Sequence, residues 1–147
     1  MGRVIHLTAA DGREIKVAEI KGKYISNIID AASKCEYIDR VILFGSSTME
    51  VCSESSDIDL AVFGNQPKGR CLSSRAFRRF SDQLASFDNF MQAYDILYFQ
   101  TGKKYAGRIM EEIAGGEVLY VREIASPGGE AEAIEEAEKA EKTASDS

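Results

Sequence analysis

The chain opens with two short alternating runs, Val4-Ile5-His6-Leu7-Thr8 and Glu14-Ile15-Lys16-Val17, on either side of Ala10-Asp11-Gly12. Alternation with a period of two marks strands, and an Asp-Gly pair suits a tight turn, so the pattern predicts an N-terminal β-hairpin. The period then lengthens. Tyr24, Ile25, Ile28, Ile29 and Ala32 recur at helical spacing, which predicts an amphipathic helix over residues 18–34. Three dense apolar runs follow: Val41-Ile42-Leu43-Phe44, Ile58-Asp59-Leu60-Ala61-Val62-Phe63 and Tyr94-Asp95-Ile96-Leu97-Tyr98-Phe99. They predict strands near residues 40–44, 57–63 and 94–99. Between the last two, a polar loop over residues 64–70 leads into a helix carrying Phe77, Phe80, Leu84 and Phe87 on one face.

The acidic residues inside these apolar runs carry the candidate chemistry. Asp57 and Asp59 flank Ile58, and because strand side chains alternate, both carboxylates project from one face. At contact distance they repel by roughly 1 kcal/mol in water and about 4 kcal/mol at an effective dielectric near 20, which a divalent cation would turn into attraction. Oxygen-only ligands suit magnesium or manganese rather than zinc. Asp95 lies at the start of the next apolar strand, and pairing of that strand beside the Asp57-Ile58-Asp59 strand would add a third carboxylate, the outline of a two-metal site. Upstream, Gly45 and Ser46 end the Val41-Ile42-Leu43-Phe44 run, a place for a tight turn whose N–H groups favour anions.

Gly45-Ser46, ten residues, Asp57-Ile58-Asp59 and the later Asp95 together resemble the minimal nucleotidyltransferase domains of the DNA polymerase β superfamily. The closing segment Ile113-Ala114-Gly115-Gly116-Glu117-Val118-Leu119-Tyr120 extends the likeness, which spans about residues 26–121. The resemblance implies an α/β (α+β) fold, a mixed sheet covered by helices. It also implies transfer of a nucleoside monophosphate from a triphosphate, ATP by expectation, to an acceptor hydroxyl. By the same resemblance Asp57, Asp59 and Asp95 are the metal and catalytic residues, with Gly45, Ser46, Ser47 and Ser56 on the nucleotide side. Many family members carry arginine directly after Gly-Ser and glycine a few residues later, where this chain has Ser47 and Glu50. Short members of the family pair as antitoxins with a small helical HEPN-class toxin, so such a toxin, or a second copy of the chain, is the expected partner. The competing expectation is a catalytically weak module of the same fold that neutralises a partner by contact.

Composition adjusts this picture in three places. Residues 125–147 hold seven acidic and two basic residues, so of the net charge of −6 only −1 belongs to residues 1–124, and direct nucleic-acid binding is not indicated. That stretch, entered through Ser126-Pro127-Gly128-Gly129, has one large apolar residue, Ile134, and is expected to be a disordered or fraying helical tail. The expected organisation is thus a hairpin extension over 1–17, the nucleotidyltransferase domain over 18–124 and the tail over 125–147. Cys35, Cys52 and Cys71 are odd in number and widely spaced, which predicts free thiols and a cytoplasmic protein, and no apolar stretch approaches the ~20 residues that span a bilayer. The basic residues Lys68, Arg70, Arg75, Arg78 and Arg79 cluster near one helix, either to meet an anion or as a solvated face.

Overall fold

A computed structural model describes residues 3–9 and 12–122 of the chain. The hairpin's turn residues Ala10 and Asp11 and the expected acidic tail lie outside the described residues. Strands β1 (Val4–Thr8) and β2 (Glu14–Ala18) pair antiparallel, with Leu7 opposite Ile15 and Ile5 opposite Val17. Ile15 and Val17 are buried in the main core, so the predicted extension is an addition in sequence but is packed into the domain.

The predicted helix over 18–34 is shorter and splits in two. Ala18 ends β2, residues Glu19–Tyr24 form a 3₁₀ turn, and the α-helix α1 covers Ile25–Ser33. Gly22 in the turn disfavours α-helix. It also lets the hairpin close in, since a Cβ there would stand 3.2 Å from Ile5 Cδ1. Strands β3 (Ile38–Phe44), β4 (Ile58–Gly64) and β5 (Tyr94–Gln100) match the three predicted runs to within two residues at each end. The polar segment after β4 holds a short helix, α2 (Lys68–Leu72), whose Cys71 is buried. Helix α3 (Arg75–Ser86) starts at Ser74, whose Oγ accepts the Phe77 N–H at 3.0 Å. It buries Phe77, Phe80 and Leu84, while Phe87 falls past its end and meets the Tyr24 ring edge-on at 5.9 Å. Helix α4 (Arg108–Ala114) and strand β6 (Glu117–Val121) close the described chain.

The four-stranded sheet has the order β5-β4-β3-β6, antiparallel except for the parallel pair of β4 and β5. Parallel neighbours need a crossover. Here α2 and α3 supply it. Alternation divides the sheet's side chains between two cores. On one face Val41, Leu43, Ile58, Leu60, Val62, Tyr98 and Leu119 pack under α1, α3 and the hairpin. On the other, Ile42, Phe44, Ala61 and Phe63 pack with Ile113 of α4 and with Leu97 and Phe99. Among the described residues no helix is long and apolar enough to cross a membrane, and Cys35, Cys52 and Cys71 are buried and free.

Candidate active site

Asp59 shares its sheet face with Ala61 and Phe63, and Asp95 shares the same face with Leu97 and Phe99, because residues two apart on a strand point the same way. The parallel register sets Asp59 directly beside Asp95, and neighbouring strands run about 4.8 Å apart. Asp57 stands just before β4 with the parity of Asp59 and is exposed. Burial pushes the Asp59 pKa above the ordinary carboxylate range, and repulsion from Asp95, Asp57 and Glu112 adds to the rise. Glu112, on α4, is a fourth carboxylate of the group. Sequence reasoning did not single it out, since a glutamate on a surface helix carries no distinguishing signal.

Gly45 stands against Asp59. Phe44 is the register partner of Asp59, and the next residue turns the chain with φ at +77°. A Cβ on Gly45 would land on Asp59 Oδ2, with Cγ at 3.3 Å. Glycine is needed here twice, for the left-handed backbone and for the close approach. The residues that follow, Gly45–Thr48, form a 3₁₀ turn tied by Thr48 Oγ1 donating to the Gly45 carbonyl at 2.8 Å. Ser46 stays half-buried at the turn's surface and Glu50 is exposed on its outer side. Ser47 points inward, fully buried, and its Oγ has no hydrogen-bond partner among the described residues. Ser56 organises the loop ahead of Asp57, its Oγ accepting the Ser53 N–H at 3.0 Å.

Among the described residues, none of Asp57, Asp59 and Asp95 forms an ion pair with a lysine or arginine. The donor chemistry therefore fits a hard divalent cation: carboxylate oxygens, mutually repelling and without an ion-pair partner among these residues. The fit is one of chemistry. No group of three His, Cys, Asp or Glu side chains among the described residues already stands as a metal-ligand set.

A family model described as "Polymerase beta, Nucleotidyltransferase" matches residues 26–125. The chain belongs to this family. Comparison with curated proteins returns no match. The matched span contains every carboxylate of the group and begins after the hairpin and the 3₁₀ turn.

Away from the carboxylates, two further features of the chain are placed by the sidedness of the sheet. The basic residues Lys68 and Arg70 on α2 and Arg75, Arg78 and Arg79 on α3 are exposed. Helix α3 packs on the face opposite Asp59, so this cluster is a solvated helix surface. On the carboxylate face, beyond Ala61, a cavity of about 450 Å³ is lined by Phe63, Tyr105, Arg40, Lys103 and Lys104 among others. Its two lining rings both pack on Phe99, Phe63 stacked at 5.2 Å and Tyr105 edge-on, and the Arg40 guanidinium lies 4.5 Å over Phe63.

Proposed function

We propose that this protein moves a nucleoside monophosphate, AMP from ATP in the simplest case, onto an acceptor hydroxyl with release of pyrophosphate. The observation that carries the proposal is the group Asp57, Asp59 and Asp95, unpaired by any lysine or arginine among the described residues, against a Gly45 turn in a chain of this family. The acceptor oxygen attacks the α-phosphorus, a P–O bond forms, and the bond to the β-phosphate oxygen breaks in line. Asp95, exposed beside Asp59, would take the acceptor's proton. Gly45 and Ser46 would hold the β- and γ-phosphates through backbone N–H groups and the Ser46 hydroxyl. Asp57, Asp59 and Asp95 would hold magnesium or manganese, which when bound offsets their repulsion and lowers the acceptor hydroxyl's pKa.

The surroundings favour an acceptor carried on a polypeptide. Val51 is 73% exposed, and Phe90 and Met91 are 73% and 77% exposed. These apolar side chains stand in the two loops that lead into Asp57 and Asp95, where exposed apolar surface marks contact with another molecule. A small helical toxin of the HEPN class presenting a hydroxyl, or a second copy of this chain, meets that description. Ser47, buried where many family members carry arginine, and the lack of a preset ligand group favour a second reading, a contact-only module with little catalysis.

The two readings separate in one assay. Purified protein and its Asp59→Asn variant are incubated with magnesium, each of the four α-labelled nucleoside triphosphates and lysate of the native host. Label moved by wild type and not by the variant supports transfer and identifies the acceptor. No transfer from any nucleotide by folded wild-type protein overturns the proposal in favour of the contact-only reading.

A further inference from the structure

Lys21 is the anomaly of the fold. Lysine is almost never fully buried, yet Lys21 is 1% exposed and is among the largest fully buried side chains of the described residues. Its ammonium has three donors, and all three are used: to the Glu54 carbonyl at 3.2 Å, the Ser56 carbonyl at 2.7 Å and Gln92 Oε1 at 2.6 Å. Every one of these acceptors is uncharged. Burial pushes the Lys21 pKa down, while Cys52, Asp57 and Glu54 pull it up. Taking an ammonium out of water without a bonded counter-ion is costly, so the arrangement calls for a reason beyond packing.

The acceptors say what the lysine holds. Gln92, 6% exposed, passes the grip on through Nε2, which donates to the Ser56 carbonyl at 3.0 Å and the Ala93 carbonyl at 2.6 Å. The Ala93 carbonyl also receives the Ile58 N–H at 3.0 Å. Residues 54, 56 and 58 are thus tied down on either side of Asp57, whose own side chain is exposed and has no hydrogen-bond or ion-pair partner among the described residues. The same 3₁₀ turn grips the loop ahead of Asp95. Tyr24 Oη donates to Asp88 Oδ2 at 2.6 Å and Lys23 pairs with it at 3.3 Å. There the chain passes through three successive left-handed residues, Asp88, Asn89 and Phe90, with φ of 64°, 56° and 62°. Such backbone costs roughly 1–2 kcal/mol per residue and persists only where neighbours enforce it.

We propose that Lys21 is a positioning residue for the carboxylate site: the Glu19–Tyr24 turn, outside the family-matched span, fixes the loops that carry Asp57 and Asp95. The inference rests on the transferase reading for its purpose but not for its test. Full-length Lys21→Met keeps the apolar stem and removes the donors and the charge. Hydrogen exchange read by peptide mapping should be at least tenfold faster over residues 54–58 with β3 and β4 protected as in wild type. Manganese affinity, read from water-proton relaxation, should fall even though a neighbouring positive charge has been removed, because the lost positioning outweighs the relieved repulsion. Glu19→Gln, which loosens only the surface Arg3 pair on the same turn, should change neither.

Unchanged exchange over residues 54–58 in folded Lys21→Met overturns the proposal. If Lys21→Met does not fold, Lys21→Gln carries the same expectation and the same refutation. Wild-type protein supplies an independent check: limited acetylation should modify Lys23 and Lys34, whose side chains are 62% and 65% exposed, and spare Lys21. Lys21 reacting alongside them overturns the clamp. Should wild type bind no manganese, the metal-dependent reading fails while the exchange measurement still decides the role of Lys21.

Discussion

Replacing Gly45 by alanine tests the seat of Asp59 more directly than removing the aspartate itself. Two costs combine at Gly45. A left-handed alanine loses about 1–2 kcal/mol, and forcing a methyl into an occupied position costs typically about 1–3 kcal/mol more. Gly102 separates them, because its φ is +91° yet a Cβ there meets nothing within 4 Å. With about 3 °C of melting temperature per kcal/mol for a chain of this size, Gly102→Ala should lower Tm by about 3–6 °C and Gly45→Ala by about 6–15 °C. The excess belongs to the Asp59 contact. In an Asp59→Ala background the new methyl would face only a Cβ, 3.5 Å away and in ordinary contact, so adding Gly45→Ala should cost no more than Gly102→Ala does. Calorimetric unfolding of the five proteins gives the cycle. Equal costs for Gly45→Ala with and without the carboxylate would refute the close seat, and with it the account of why glycine precedes Ser46.

Asp59 binds its proton more tightly folded than unfolded, so as pH rises past the ordinary Asp value of about 3.9 the unfolded chain ionises first and the fold loses stability until the raised value is passed. Asp59→Asn escapes that loss: urea unfolding should show the variant gaining on wild type between pH 3 and pH 7, and a constant difference across that range would contradict the raised value. Magnesium should raise the Tm of wild type and leave Asp59→Asn nearly unmoved in the same scans. Ser47→Ala removes a buried hydroxyl without a partner, so denaturant titration should find it neutral or up to about 1 kcal/mol more stable, and a clear destabilisation would mean that Oγ is bonded. Ser74→Ala removes the acceptor of the Phe77 N–H and should cost about 1 kcal/mol, with equal stability arguing that the cap is dispensable.

The strands and the carboxylates were legible because their signals are local. An aspartate inside an apolar run has few reasons to be there, and a two-residue spacing on a strand is the same as a shared face. The pairing of Asp59 with Asp95 needed only the choice of neighbour, after which the parallel register did the rest. What escaped the sequence depends on contacts between distant segments. Lys21 reads as a polar position on a helix, since nothing near it announces that Glu54, Ser56 and Gln92 will gather around its ammonium. Ser47 is placed on the nucleotide side by the resemblance alone, and its burial within the 3₁₀ turn has no signal in the sequence. The helix α2 was hidden because Gly69 and the polar residues around it carry loop propensity, while burial of Cys71 supplies the driving force.

The parallel pairing of β4 with β5 has a consequence for how the molecule acquires competence as it folds. Strands β3 and β4 are consecutive and pair across the single connection 45–57, but Asp59 and Asp95 become neighbours only after the crossover through α2 and α3 has docked on the far side of the sheet. Their mutual repulsion opposes that last step, and the burial of Phe77, Phe80 and Leu84 drives it. The carboxylate pair is therefore a late product of assembly, governed by residues on the opposite side of the sheet. Lesions that silence it need not map near it: a weakened α3 would leave a compact, β3–β4-paired chain whose two strand aspartates have yet to meet.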